Sequence, residues 1–268
     1  MNCEHCRLVN LRKFTFDKPY CSACVKAEKE KNAVIQSVIF GYGHRARSGK
    51  DTVAALIKEY RGYGTNLAWQ ENTYNIGIYS FAGELKREVN ENAMKSGGMI
   101  KLFDEGLRDP MGGFMQENGN FLPLPEWVQY DPNPDMSDPL CPYGKQRTLL
   151  QWWGQEFRRA CNPQYWINKL AAIIAKDKPE IALIPDVRYP NEVSFVRNFG
   201  EVIKVNRPDL PPLQGAAGVH ASELALANFN DWDDVIENDG TLEQLREKAL
   251  FSFDMLLSSH PQSRPTSA

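Results

Sequence analysis

The stretch AVIQSVIFGYGHRARSGKDTVAALI, Ala33 to Ile57, constrains the fold more than any other. Its apolar, β-branched start reads as a buried strand that stops at glycines. Val53, Leu56, Ile57 and Tyr60 then recur at helical spacing. A strand feeding a helix through a glycine-rich turn lets successive backbone N–H groups converge on an anion at the helix N-terminus. The strict phosphate-loop pattern is G-x-x-x-x-G-K-[ST]. Here five residues separate Gly43 from Gly49, and Asp51 follows Lys50. The extra residue widens the loop but leaves its helix end in place, where Ser48, Gly49 and Lys50 can aim amides at a phosphate. Lys50, exposed at the helix start, would reach the β- and γ-phosphates. Asp51 or Thr52 offers an oxygen to Mg2+, a hard cation. The competing reading is a helix cap beside a basic surface turn.

The rest of the chain alternates strands and helices. YNIGIYSF reads as a strand and AGELKREVNENAM as a helix. RTLLQWWGQEFRRA and PQYWINKLAAIIAKD are two helices broken at Asn162-Pro163. EIALIPD is a strand ending in an acid, and NEVSFVRNFG a helix stopped by Gly200. EVIKVNR and DDVIEND are strands. TLEQLREKALFSFDMLL is the last helix, with Thr241 and Gln244 as a capping box. Apolar strands separated by helices predict an α/β fold: a three-layer α/β/α sandwich on a parallel sheet of about five strands. Ligands bind such sheets at the carboxyl ends of the strands. Gly41 to Lys50, Ser80, Asp186 to Arg188 and Arg207 all fall there. From 96 to 145, Gly, Pro, Asn and Asp interrupt every period; a loop this long is usually functional or disordered, and Trp127, Tyr130 and Leu140 suggest a packed, lid-like insertion. The main domain is expected at 33–258 and a disordered tail at 259–268.

Residues 1–32 are a separate problem. Cys3, Cys6, Cys21 and Cys24 form two C-x-x-C knuckles with fourteen residues between them, a spacing that suits tetrahedral zinc. So short a segment buries too little apolar surface to fold unaided, and the metal would supply the folding energy. Two disulfides or a redox pair are the alternatives; the missing secretory h-region disfavours the disulfides. His5 reads as a surface residue. No apolar run reaches the ~18 residues of a membrane span. A net charge of -3 and a pI near 5.9 argue against wholesale coating of nucleic acid.

GHRARSGKDTVA resembles the phosphate loop of phage-type deoxynucleoside monophosphate kinases, whose loops run into G-K-D. SFAGELK, RTLLQWWGQEFRR, YWINKL, IPDVRYPNE, VIKVNRP, HASE and VIENDGTLEQL resemble that family's later segments, in its order. The resemblance runs roughly from Val34 to Leu257, with a more distant one to phosphomevalonate kinase, and leaves out the cysteine module. Two features depart from the family: Ala82-Gly83 stands where an acid and a proline are common, and WWGQE where G-T-E is common. The resemblance implies a P-loop kinase fold of strand order 2-3-1-4-5. It further implies ATP as donor, Mg2+, a (deoxy)nucleoside monophosphate as acceptor, and a host cytoplasm as location for a phage-encoded chain.

Phosphoryl transfer asks the protein to position two anionic nucleotides and neutralise charge. The donor side would use Gly43, Arg47, Ser48, Gly49, Lys50, Asp51 and Thr52, with Arg207 on the adenine or phosphates. Asp186, delivered by an apolar strand, would hold Mg2+; its alternative is a helix N-cap before PNEV. Arg188, two residues on, would contact the transferring phosphate or else pair with Glu192. Lys50, Asp186 and Arg188 are the catalytic set. On the acceptor side stand Ser80, Lys86, Arg87, Arg147, Arg158 and Arg159, with guanidinium groups suited to a monophosphate. Gln151, polar within an apolar run, could read a base edge. Trp166, Trp152 or Trp153 could stack the base, or be core. The resemblance suggests His220, Ser222 and Glu223 near the donor, against a helix cap.

The expected activity is phosphorylation of (deoxy)nucleoside monophosphates to diphosphates. Two rivals stay open. One is a polynucleotide-end kinase or nucleic-acid-stimulated ATPase, given seven Lys/Arg against four Asp/Glu in residues 1–32. The other is a non-catalytic nucleotide-binding regulator. A nucleic-acid or protein contact through the zinc module and a homodimer are open partners; a membrane is not.

Overall fold

A computed structural model describes residues 35–59, 74–95, 97–99, 102, 113–115, 121–123, 125–160, 162–211 and 224–260. In chain order the elements are β1 (Val38–Gly43), α1 (Lys50–Glu59), β2 (Ile76–Ile78), α2 (Phe81–Lys95), β3 (Gly113–Met115), β4 (Phe121–Pro123) and α3 (Arg147–Trp152). Then come a π-helical turn (Trp153–Arg159), α4 (Tyr165–Asp177), β5 (Ile181–Val187), α5 (Pro190–Arg197), β6 (Gly200–Asn206), β7 (Asp234–Glu237) and α6 (Leu242–Ser258). The chain divides into two compact units. Ala82–Lys169 belong to one; Ala33–Phe81 and Leu170–Ala268 form the other. The first unit is wider than the insertion expected at 96–145.

The second unit holds a parallel sheet in the order β2-β5-β1-β6-β7. Counted along this sheet alone, that is 2-3-1-4-5. Every residue of β1 is buried, as a central strand covered on both faces requires. One face presents Val38, Phe40 and Tyr42 of β1, Ile181 and Leu183 of β5, and Ile203 and Val205 of β6. Against them pack Val53, Ala54 and Ile57 of α1 and Leu245, Ala249 and Phe253 of α6. The Phe40 and Phe253 rings meet edge to face, centroids 5.6 Å apart. The opposite face presents Gly41, where an added Cβ would lie 2.9 Å from methyls of Val187 and of Val196 on α5. Helices therefore cover both faces.

Three local expectations change. Gly200 does not stop a helix; it opens β6, where a Cβ would fall 2.1 Å from the Ile39 carbonyl. The backbones approach too closely there for any side chain. RTLLQWWGQEFRRA is not one α-helix but switches to π geometry at Trp153. In the other unit β3 and β4 form an antiparallel hairpin inside the stretch expected to be irregular. The capping box at Thr241 is present: Thr241 N–H donates to Gln244 Oε1 at 2.8 Å and Gln244 N–H to Thr241 Oγ1 at 3.3 Å. Of the tail, Ser259 and His260 are described, with the His260 ring 6.1 Å from Phe40; the rest lies outside the described residues.

Candidate functional site

Gly43 closes β1, paired with Val187 of β5 and Lys204 of β6. From there the chain loops to α1 with His44 (φ 94°), Arg47 (φ 63°) and Gly49 (φ 105°) in the left-handed region. At Gly49 both the φ and the space demand glycine, since a Cβ would sit 2.6 Å from Asn238 Nδ2. That same amide donates to the Ser48 carbonyl at 2.8 Å, while the Asn238 N–H donates to the Asn206 carbonyl at 2.7 Å. Asn238, just past β7, thus ties the loop to the end of β6. Val53 N–H donates to the Gly49 carbonyl at 2.9 Å and starts the helix.

Lys50 is not exposed, as its place at a helix start had suggested. It is 4% exposed, and its Nζ donates to the Arg45 carbonyl and, at 3.4 Å, to Ser48 Oγ. The loop curls around the ammonium and its own oxygens solvate it. Ser48 is fully buried, while Arg47, Asp51 and Thr52 are exposed at the loop and on the first turn of α1. The His44 ring reports the local charge. Burial lowers its pKa, the neighbouring Lys204, Arg45 and Lys50 lower it further, and it falls to about 4 despite a bond to the Val205 backbone. Its buried Nδ1 has no hydrogen-bond partner among the described residues. Three cations around one neutral ring make an anion-receptive edge.

Asp186 reaches the same edge by a bulge. Between Gly41–Ile184 and Gly43–Val187 the β5 strand carries one extra residue, at Pro185-Asp186. Proline cannot donate to a ladder and is confined to such irregularities, which re-aim side chains. Asp186 accepts from Ser80 Oγ at 2.8 Å and from the Phe81 N–H at 3.2 Å. It therefore caps α2, not the helix that follows it. Two residues expected at the site, Ser80 and Asp186, are brought together. The strand ends at Val187, so Arg188 lies just past it. The Arg188 N–H (2.7 Å) and the Tyr189 N–H (3.1 Å) both donate to Glu192 Oε2, and that buried carboxylate opens α5. Arg207 is exposed just past β6.

The acceptor-side residues other than Ser80 belong to the first unit. Lys86 pairs with Asp138 at 2.7 Å. Arg147 is exposed at the start of α3. Gln151 is half-buried, and its amide makes no hydrogen bond among the described residues. Arg158 Nε meets Glu88 Oε1 at 2.5 Å. Trp166 corrects an expectation: it is 2% exposed, its indole N–H donates to the Gly154 carbonyl at 3.1 Å, and it has no open ring face for a base. Trp152 and Trp153 are buried likewise.

Sequence reasoning missed Asn238, Lys204 and Glu88. Asn238 had a readable signal, an Asn-Asp-Gly turn at the carboxyl end of a strand. Glu88 had none, since an acid in LKREVNENAM reads as a solvated helix face. His220, Ser222 and Glu223 lie outside the described residues, as do Cys3, Cys6, Cys21 and Cys24. Among the described residues no group of three or more His, Cys, Asp or Glu could hold a metal ion. None of their helices is long and apolar enough to cross a membrane.

Comparison with known proteins gives three partial matches. Residues 146–249 match the family model described as deoxynucleotide monophosphate kinase. A candidate deoxynucleotide monophosphate kinase of Acanthamoeba polyphaga mimivirus is 28% identical over 83 residues, 31% of this chain and 41% of that protein. The deoxynucleoside-5'-monophosphate kinase of Escherichia phage T5 is 42% identical over 52 residues, 19% of this chain and 21% of that protein. The chain thus matches less than half the length of either relative. The family match begins after the phosphate loop, so the loop stands on its own geometry.

Proposed function

We propose that this chain transfers the γ-phosphoryl group of ATP to a (deoxy)nucleoside monophosphate. The observation that carries the reading is the loop Gly43–Lys50. It runs from the central strand of a 2-3-1-4-5 parallel sheet into a helix N-terminus, with a buried lysine at its closing turn. The partial likeness of residues 146–249 to deoxynucleotide monophosphate kinases supports the same chemistry. The backbone amides of Ser48, Gly49 and Lys50 would hold the donor phosphates, and the Lys50 ammonium would leave its loop oxygens for phosphate oxygens. Arg188 would offset charge on the phosphoryl group in transit, and Arg207 would contact the donor. Lys86, Arg147, Gln151 and Arg158 would bind the acceptor.

Mg2+ arriving with ATP needs only one or two protein oxygens, and Asp51, Thr52 and Asp186 offer them. The ion would neutralise phosphate charge when bound. Asp186 already accepts two protein hydrogen bonds, which suits a carboxylate that orients a metal's waters. For residues 1–32 we propose structural zinc on Cys3, Cys6, Cys21 and Cys24.

A coupled assay of ADP formation with each dNMP and NMP tests the reading. Turnover with at least one monophosphate is the expected result. Phosphorylation of oligonucleotide ends alone would replace it with the polynucleotide kinase alternative.

A further inference from the structure

In the first unit, the Glu88 carboxylate accepts four side-chain hydrogen bonds. Oε1 takes Trp153 Nε1 at 2.9 Å and Arg158 Nε at 2.5 Å; Oε2 takes Tyr165 Oη at 2.7 Å and Lys169 Nζ at 2.9 Å. The Arg158 guanidinium also lies 4.1 Å from the Phe157 ring centroid and 5.0 Å from that of Tyr165. With Nε held and both rings in place, its plane has one orientation. Its two terminal nitrogens make no hydrogen bond among the described residues, yet they are not sealed from solvent.

The charges do not balance. Two cations meet one carboxylate where the side chains are 14%, 25% and 8% exposed for Arg158, Lys169 and Glu88. A surplus cation that water reaches only in part favours an anion that completes it. A guanidinium fork matches two phosphate oxygens. Arg158 also lies in the π-helical turn, an uncommon geometry that recurs at functional sites. A purely structural ion cluster would be expected to close its charge and fill the fork.

We propose that Glu88 is a positioning residue that fixes Arg158 so that its outer guanidinium edge takes the phosphate of the monophosphate acceptor. This deepens the kinase reading and rests on it.

The test uses the full chain and the monophosphate preferred in the assay above. KM values for monophosphate and ATP are measured by kinetics, and the monophosphate Kd without ATP by calorimetry. Arg158→Ala is expected to raise the monophosphate Kd roughly ten- to 150-fold, the worth of a charged hydrogen bond, with KM for ATP changed about twofold at most. Glu88→Gln should shift the same constants in the same direction. The Glu88→Gln/Arg158→Ala double variant should bind monophosphate no worse than Arg158→Ala alone, since Glu88 acts through Arg158. Glu88→Gln strands two cations and can fail to fold. Glu88→Asp keeps the charge on a shorter arm, and its expected signature is a raised monophosphate KM at a near-normal ATP KM. Additive losses in the double variant, or parallel changes in both KM values, would leave Glu88 a structural residue and overturn the proposal. Monophosphate binding unchanged in Arg158→Ala, in a wild-type protein that is active, overturns this proposal alone. A wild-type protein that phosphorylates no monophosphate overturns the kinase reading and the proposal with it.

Discussion

Glu88→Gln has a second consequence, on stability, whose size follows from the same cluster. Burial by itself would push the Glu88 carboxyl up, but Arg158, then Lys169, and the bonds from Trp153 and Tyr165 outweigh it and hold the pKa at about 2. Measured from an ordinary value of 4.5, that depression is worth about 3 kcal/mol at neutral pH. An independent figure agrees: removing one partner of a buried ion pair costs roughly 3–5 kcal/mol. The folded pKa is the lower one, so the stabilisation is fully present above about 4.5 and is lost as pH falls through about 2. By about pH 3, roughly 2 kcal/mol of it is gone. Protonated Glu88 carries the same charge as the glutamine that replaces it, so the two proteins should converge in acid. The assay is urea unfolding of wild type and Glu88→Gln at neutral pH and near pH 3, compared at equal ionic strength. A stability gap near 3 kcal/mol that narrows to about 1 is expected. A gap of equal size at both pH values would show that the loss is packing, not charge, and would refute the electrostatic account.

Lys50→Ala should abolish phosphoryl transfer while the circular dichroism spectrum stays native; wild-type turnover would remove the loop assignment. Gln151→Leu should lower kcat/KM for the preferred monophosphate about five- to 150-fold and spare KM for ATP, whereas Arg188→Ala should lower kcat for every acceptor alike. Steady-state kinetics across four dNMPs separates the two, and uniform losses for Gln151→Leu would reject its base-reading role. ATP should raise the His44 pKa from about 4 toward the ordinary 6.5, because a polyphosphate offsets Lys204, Arg45 and Lys50; an NMR titration with no shift would place the anion elsewhere. Cys21→Ser with Cys24→Ser should abolish stoichiometric zinc, read by metal analysis, and leave the melting transition of the sheet unit intact.

The parallel sheet was legible because its strands are continuous apolar runs and its helices have a clear period, and both signals are local. The same is true of the Gly49-Lys50 helix start and of the capping box at Thr241. What could not be read was decided by partners far away in sequence. Gly200 looked like a helix stop until the Ile39 carbonyl lay 2.1 Å from its missing Cβ. Trp166 looked available for stacking until Gly154 took its indole N–H. Nothing in the helix of Glu88 marks the four donors that reach it from beyond Trp152. Asp186 could be placed at a strand end from its apolar run, but its bond to Ser80 spans 106 residues and no pattern encodes it.

The spacing that set this loop apart also has an account in these long-range ties. Five residues between Gly43 and Gly49, where the strict pattern has four, could displace the helix end of the loop and spoil its amides. The loop is pinned at both ends instead. Gly43 is fixed in register with Val187 and Lys204, and the Ser48 carbonyl is held by Asn238. Between the pins, the extra length is taken up at His44 and Arg47, two non-glycine residues at positive φ. Each such residue costs on the order of 1–3 kcal/mol, which persists only where surrounding structure over-determines it. The tie from Asn238 to the loop and to the Asn206 carbonyl is of the kind that can hold it. Asn238, just past the edge strand β7, thus helps set the geometry at Ser48, Gly49 and Lys50. That is why a sequence with the wrong count still places a buried lysine and a left-handed glycine at the start of α1.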